Sequence, residues 1–323
     1  MPKTPSRRAS TVRRRSGQPG IWPRGVQVGQ PQAVVNGGRP LNPYWLPHIA
    51  RHAALLLALA GCLLGSLACT PPQATPVPEH LRVAVAPSAA PLLDELGAHY
   101  RARHSYVTLE PLELGAANAI RALRNGTADL AFVERTLDPA ETLDPETGRE
   151  RLTVWPLATG ALAVVVHPSN PVPGLTLEQL QGALTGSVRR WSELGGEDRT
   201  IGLVCREPGA PLRDAFERGL GGTRVIGSAV VMPGDEAIAD YVASHPGAIG
   251  YISAPWAGEQ VKVLALDGAL PDVATVAEGR YPLTYPLLLV TPSAISSKAK
   301  AFVDYVYSHE GQGMVRQSYA PAR

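Results

Sequence analysis

The sequence predicts an α/β protein built on mainly parallel sheets, and three observations carry that expectation. Short apolar runs alternate with segments whose apolar residues recur at helical spacing, the pattern of strands joined by helical crossovers. Hydrophobic residues make up 45% and charged residues 18% of the 323 positions, the composition of a folded soluble chain. Three cysteines are too few for a disulfide framework, so the core must come from apolar packing.

The elements follow in order. Leu81 to Ala86 alternates as a strand. Pro91 to Arg103 places Leu92, Leu93, Leu96 and Tyr100 at helical spacing. Tyr106 to Leu109 is strand-like, Ala116 to Asn125 a short helix closed by Gly126, and Ala128 to Val133 a strand. Leu157 to Val166 is a long apolar run, able to cross between two lobes. Thr176 and Gln179 have capping-box form and open a helix to about Leu184. Ile201 to Cys205 and Val225 to Val231 read as strands, Glu236 to Ser244 as a helix, Ala248 to Ile252 as a strand. Leu287 to Val290 is a strand, and Ser297 to Ser308 a helix with Ala299, Phe302, Val303 and Val306 on one face. No repeat and no low-complexity linker interrupts 81–323, so any lobes are interlaced and not strung in series.

The net charge of +2 hides an asymmetry. Residues 1–52 hold nine of the 30 basic residues and no acid, which leaves 21 basic against 28 acidic groups, a net of −7, for the rest. Non-specific nucleic-acid binding by such a body is not expected.

The basic stretch ending at Arg51 and His52 precedes an apolar run from Ala53 to Ala60, the layout of a signal peptide. The run is broken by Gly61, Gly65 and Ser66 and is shorter than the about 20 apolar residues a membrane span needs. Leu59-Ala60-Gly61-Cys62 matches the lipoprotein processing box, in which the cysteine is acylated; Ser66-Leu67-Ala68-Cys69 is the second candidate. On this reading 1–61 is a basic tail plus signal peptide, and 62–80 a lipid-anchored, Pro-rich tether.

Chemistry is absent from the body. His99 and His104 do not share a helix face well, His80, His167, His245 and His309 are scattered, and Cys205 lies in an apolar strand as a small hydrophobe. No metal site or cofactor is expected. No nucleophile elbow, Walker loop or dinucleotide fingerprint occurs. The adjacent carboxylates Asp94/Glu95 and Asp235/Glu236 read as solvated helix faces. No enzymatic activity is expected.

Seven short stretches, in order, carry a resemblance over residues 81–320. They are Pro87-Ser88-Ala-Ala-Pro91-Leu92; Gly115 to Asp129; Asn170-Pro171 with Thr185-Gly186 and Arg190 to Gly196; Arg206 to Phe216; Pro246 to Tyr251; Tyr281 to Pro286; and Glu310 to Gln312. The chain thereby resembles the substrate-binding proteins of phosphate ABC transporters. The resemblance implies a type-2 periplasmic-binding-protein fold: two α/β lobes, 81–160 with 281–323 and 161–280, joined by two crossover strands near Leu157–Val166 and Tyr281–Val290, with the ligand cleft between them. It implies a small oxyanion ligand, most simply phosphate, handed to an ABC permease by an extracytoplasmic monomer that touches the membrane only through its lipid anchor. The alternative it leaves is a degenerate binder of the same fold, acting as a sensor or taking another small solute.

The candidate ligand-binding residues implied by the resemblance are Ser88, Ala116, Ala117, Glu134, Arg135, Arg206, Gly209 and Ala210. Helix N-termini with free backbone N–H groups favour an anion there, arginine adds a donor fork, and a buried carboxylate takes a proton from hydrogen phosphate while repelling sulfate. Arg206 and Arg135 read as ligand-facing or as ends of salt bridges, Glu134 as a ligand acceptor or as an interlobe or Arg135 partner, and Ser88 as a ligand contact or a helix N-cap. Arg213 and Asp214 are assigned to the helix start and Trp191 to packing. The chain departs from the family pattern at Ala210-Pro211-Leu212, which stand where the family has Ser-Gly-Thr, and at Ala116, where it has serine.

Overall fold

The computed structural model describes residues 78–322. The signal segment, both candidate lipidation sites Cys62 and Cys69, and the tether up to residue 77 lie outside the described residues. No helix among the described residues is long and apolar enough to cross a membrane.

Strand β1 (Glu79–Val85) starts two residues inside the segment assigned to the tether and leads through a 3-10 turn into α1 (Ala90–Arg103), whose Pro91 suits a first-turn position. Then come β2 (Val107–Glu113), α2 (Ala116–Arg124), β3 (Leu130–Val133), the single turn α3 (Pro139–Thr142) and the fifteen-residue β4 (Leu152–Val166). The next stretch holds β5 (Gly174–Leu175), α4 (Leu177–Thr185), β6 (Gly202–Cys205), α5 (Pro211–Gly219), β7 (Val230–Val231), α6 (Asp235–Ser244) and β8 (Ala248–Ser253). The chain closes with β9 (Lys262–Val263), β10 (Ala265–Leu266), α7 (Val273–Ala277), β11 (Thr284–Pro292), α8 (Ser297–Val306), α9 (His309–Ser318) and β12 (Ala320–Pro321).

Among the described residues, ten strands form one sheet with the path β2-β1-β3-β11-β4-β8-β6-β7; β9 and β12 also pair with β4. The flanks are parallel, β1 with β2 and β3, and β6 with β7 and β8. The centre is antiparallel, because β4 and β11 carry the chain across in opposite directions. β4 pairs with β11 over its first ten residues, Leu152 to Ala161, and with β8 from Leu162 to Val166, so it belongs to both flanks. The expectation of mainly parallel sheets therefore holds at the flanks and fails in the middle.

Helices cover both faces, as parallel strands require. Along β1 the period of two sends Leu81, Val83 and Val85 to a core shared with Leu96, Tyr100, Phe302 and Val306. Ala84 faces the other way, into a cluster with Ala119, Ile120 and Leu123 of α2. In the second flank, Ile238, Ala239 and Val242 of α6 pack on Ala163, Val165, Val204 and Ile252.

Two expected elements differ. Only Val230 and Val231 of the strand expected over 225–231 are extended. The apolar side chain of Val225 does enter the core, but the N–H groups of Val225 and Ile226 donate to Glu217 Oε1 and the Leu184 carbonyl, so they never join a ladder. The helix expected over 297–308 ends at Val306, and Ser308 caps a separate helix through a bond from the Gly311 N–H to its Oγ at 3.2 Å. The capping box of α4 is present as expected, with bonds of 3.1 and 2.8 Å between Thr176 and Gln179.

Candidate oxyanion site

Parallel strands open their carboxyl ends towards helix N-termini, and such edges are where α/β folds bind ligands. Ser88 follows β1 and Glu134 follows β3, and these strands pair directly, Val85 against Phe132. The Ser88 hydroxyl donates to Glu134 Oε2, and both residues are buried. The N-cap alternative for Ser88 is thereby excluded: neither the 3-10 turn nor α1 has a side-chain cap.

From the other flank, Arg206 follows β6. It is 5% exposed, and its Nη2 lies 2.5 Å from Asp235 Oδ1 at the start of α6. Asp235 also accepts the Ser253 N–H at 3.0 Å and the Ser253 hydroxyl at 3.1 Å. The guanidinium is thus fixed on one edge, while its buried Nε has no hydrogen-bond partner. Arg213 secures the same loop from behind: its Nη1 donates to the Arg206 carbonyl at 2.9 Å and its Nε to Glu217 at 2.9 Å. The Arg206 N–H faces the Tyr251 hydroxyl at 3.5 Å, and the Tyr251 ring stacks on Phe216.

The electrostatics bind these groups into one cluster. Burial pushes the Glu134 carboxyl above its ordinary range, against the Ser88 hydrogen bond and the Arg206 charge, which pull it down. Burial alone would lower the Arg206 pKa, but the charge and hydrogen bond of Asp235, with Glu134 behind them, raise it. A cation held among two carboxylates, with one donor unused, is suited to a further oxygen ligand.

The remaining expected residues fall as follows. Arg135 is occupied: its two terminal nitrogens sit 2.7 Å from the two oxygens of Glu141, so it takes the salt-bridge alternative, with Glu141 and not Glu134 as partner. Ala116 is buried and Ala117 exposed at the start of α2, where the chain offers only backbone. Gly209 has φ +83, a left-handed turn that glycine adopts without penalty, and Ala210 is the uncapped N-cap of α5. Leu212 is fully buried in the main core and does not line a cleft. Trp191 is 1% exposed with its Nε1 donating to the Gly247 carbonyl, as packing requires. Asp214 is exposed.

Asp235 corrects the sequence reading, which set it with Glu236 on a solvated face. It is 3% exposed and is the partner of Arg206. Its signal in the sequence is an acid directly after Pro233-Gly234 at a helix start, the position where a carboxylate sits on free N–H groups. Ser253, Tyr285 and Tyr319, also missed, complete the surroundings of the cluster; the Tyr319 hydroxyl donates to the Ser88 carbonyl at 3.4 Å. A surface groove of about 560 Å³ bordered by Thr185, Arg189, Ile226 and Val230 lies elsewhere and includes none of these residues.

Comparison with known proteins places the chain. Residues 70–310 match the PBP superfamily domain. The phosphate-binding protein PstS of Bacillus subtilis is 30% identical over 211 residues, which cover 64% of this chain and 69% of that protein. PstS of Borreliella burgdorferi is 23% identical over 243 residues, 71% of this chain and 85% of that protein. A Clostridium perfringens substrate-binding protein with bound phosphate superposes with a TM-score of 0.69 at 26% identity, covering 76% of this chain and all of its own, 100%. An ABC-type phosphate transport receptor from Vibrio cholerae gives 0.57 at 27% identity, over 73% and 97% of the two chains. The mixed α/β fold is that of the type-2 periplasmic binding proteins, and the chain belongs to the PBP superfamily, in the family of the PstS substrate-binding proteins of ABC transporters.

Proposed function

We propose that this protein captures phosphate outside the cytoplasm and delivers it to an ABC permease. The observation that carries the reading is the Arg206 guanidinium: buried, locked to Asp235, left with an unpartnered Nε, and close enough for its charge to act on Glu134, the partner of Ser88. Relatives and structural neighbours named for phosphate binding support the same ligand. Lobes of 81–160 with 281–323 and of 161–280 would close on it about β4 and β11, the kind of hinge motion by which binding proteins enclose a solute. The lipid anchor at Cys62, with Cys69 as the alternative, and a monomeric state belong to the same proposal.

Glu134 supplies the selectivity. Its carboxylate accepts a hydrogen bond from the O–H of hydrogen phosphate, whereas sulfate has no proton to donate and meets a bare negative charge. Calorimetry tests this. Phosphate binds and sulfate does not, and Glu134→Gln narrows the difference between the two by weakening phosphate and admitting sulfate. Equal phosphate and sulfate affinities in the unmutated protein would contradict the role given to Glu134.

A further inference from the structure

Buried donors without partners are uncommon, because an unmade hydrogen bond in the interior is costly. Two occur around this cluster: Arg206 Nε and the Tyr285 hydroxyl. They come from different strands. Arg206 follows β6, whereas Tyr285 sits on the crossing strand β11 opposite Gly160 of β4.

The register explains how they converge. On β4, Gly160 pairs with Tyr285 and Leu162 pairs with Ser253. Positions two apart share a face, so Tyr285 on β11 and Ser253 on β8 project from the same face of the sheet on either side of β4. Ser253 holds Asp235, and Asp235 holds Arg206. Gly160 is what admits the ring: a Cβ there would overlap Cζ and both Cε atoms of Tyr285. The Tyr285 side chain is 1% exposed, and the charges of Asp235 and Glu134 both reach its hydroxyl. The Ser253 and Tyr319 hydroxyls both border it and interact with it, but the first donates to Asp235 and the second to the Ser88 carbonyl, so neither makes a well-formed hydrogen bond with Tyr285.

We infer that Tyr285 is a ligand-binding residue, its hydroxyl donating to the bound oxyanion from the crossing strand. The chain has lost the side-chain hydroxyls expected at 210 and 212, and the position of Leu212 in the core shows that this helix start offers the anion backbone only. Tyr285 returns one neutral donor from the opposite wall. Being neutral, it adds a hydrogen bond without adding charge, so it strengthens binding of any tetrahedral oxyanion and leaves discrimination to Glu134. The inference rests on the oxyanion reading of the site.

The test is Tyr285→Phe, which deletes one oxygen and keeps the ring against Gly160. Two quantities are read: the phosphate Kd by calorimetry and the melting temperature of the ligand-free protein. A hydrogen bond to a charged ligand is lost, so Kd rises about tenfold or more. The deleted hydroxyl makes no well-formed hydrogen bond in the ligand-free protein, so the melting temperature stays level or rises. An unchanged Kd in the variant, with phosphate still bound by the parent, overturns the role of Tyr285 alone. A lower melting temperature with unchanged Kd assigns the hydroxyl to structure and overturns it too. A parent protein that binds no oxyanion overturns both this inference and the reading beneath it.

Discussion

Glu134 shows what burial does to a single residue. Its carboxyl is raised above the ordinary value of 4.5, chiefly by desolvation. A raised carboxyl pKa favours the folded state below the unfolded value and withdraws that stability as pH climbs through the folded value. Glu134→Gln removes the titration, so the melting temperature of the variant relative to the parent should increase steadily from about pH 4.5 to neutrality, without ligand. A constant offset across that range would show that the carboxylate is not desolvated as described. Asp235 teaches a different lesson. The sequence displayed two adjacent acids at a helix start, and such pairs usually face water. Only the pairing of β6, β8 and α6 reveals that one of them meets a buried arginine, because that contact spans 29 residues and leaves no local periodic trace. Ser88, Glu134 and Arg206 were singled out by the family resemblance, and the structure puts Glu134 and Arg206 directly after β3 and β6 and Ser88 three residues past β1, at strand ends where α/β folds gather ligand groups.

At the scale of elements, strands and helices with clear periodicity were legible: β1, α1, α2, β3, β8 and the capped α4 fall where the pattern puts them. The failures share a cause. Val225 and Ile226 are apolar because they pack, not because they pair, and hydropathy does not distinguish the two. The antiparallel centre was not legible either, since strand direction is set by which distant partner a strand finds. The start of α5 matters most for ligand affinity. Restoring hydroxyls at 210 and 212 together would place a threonine hydroxyl in the apolar core at the latter position, at a cost of about 1–3 kcal/mol. Ala210 is 8% exposed and begins the helix, and Pro211 lacks an N–H. The double change Ala210→Ser with Pro211→Gly therefore adds a cap hydroxyl and a backbone donor without touching Leu212. Phosphate affinity should rise about tenfold, one charged hydrogen bond's worth. A flat affinity by calorimetry would place this loop away from the anion.

At the scale of the whole molecule, one sheet runs through both flanks, and β4 and β11 are the only long strands in its antiparallel centre among the described residues. The site groups lie on both sides of that centre: Ser88 and Glu134 from β1 and β3, Arg206, Asp235 and Ser253 from β6, α6 and β8, and Tyr285 on β11 itself. An anion seated there would bridge the flanks, so binding and closure would be one event, and a ligand bound only by the closed form would stabilise the fold by mass action. The site's chemistry passes through Arg206, the buried cation that pairs with Asp235. The direct measurement is calorimetric titration of phosphate into the parent protein and Arg206→Met, with a thermal melt to confirm that the variant is folded at the titration temperature. Saturable binding to the parent and a loss of about 30-fold or more in the variant are expected, the usual effect of removing one member of a buried charge contact. Absence of phosphate binding by the parent, or equal affinity in the folded variant, would contradict it.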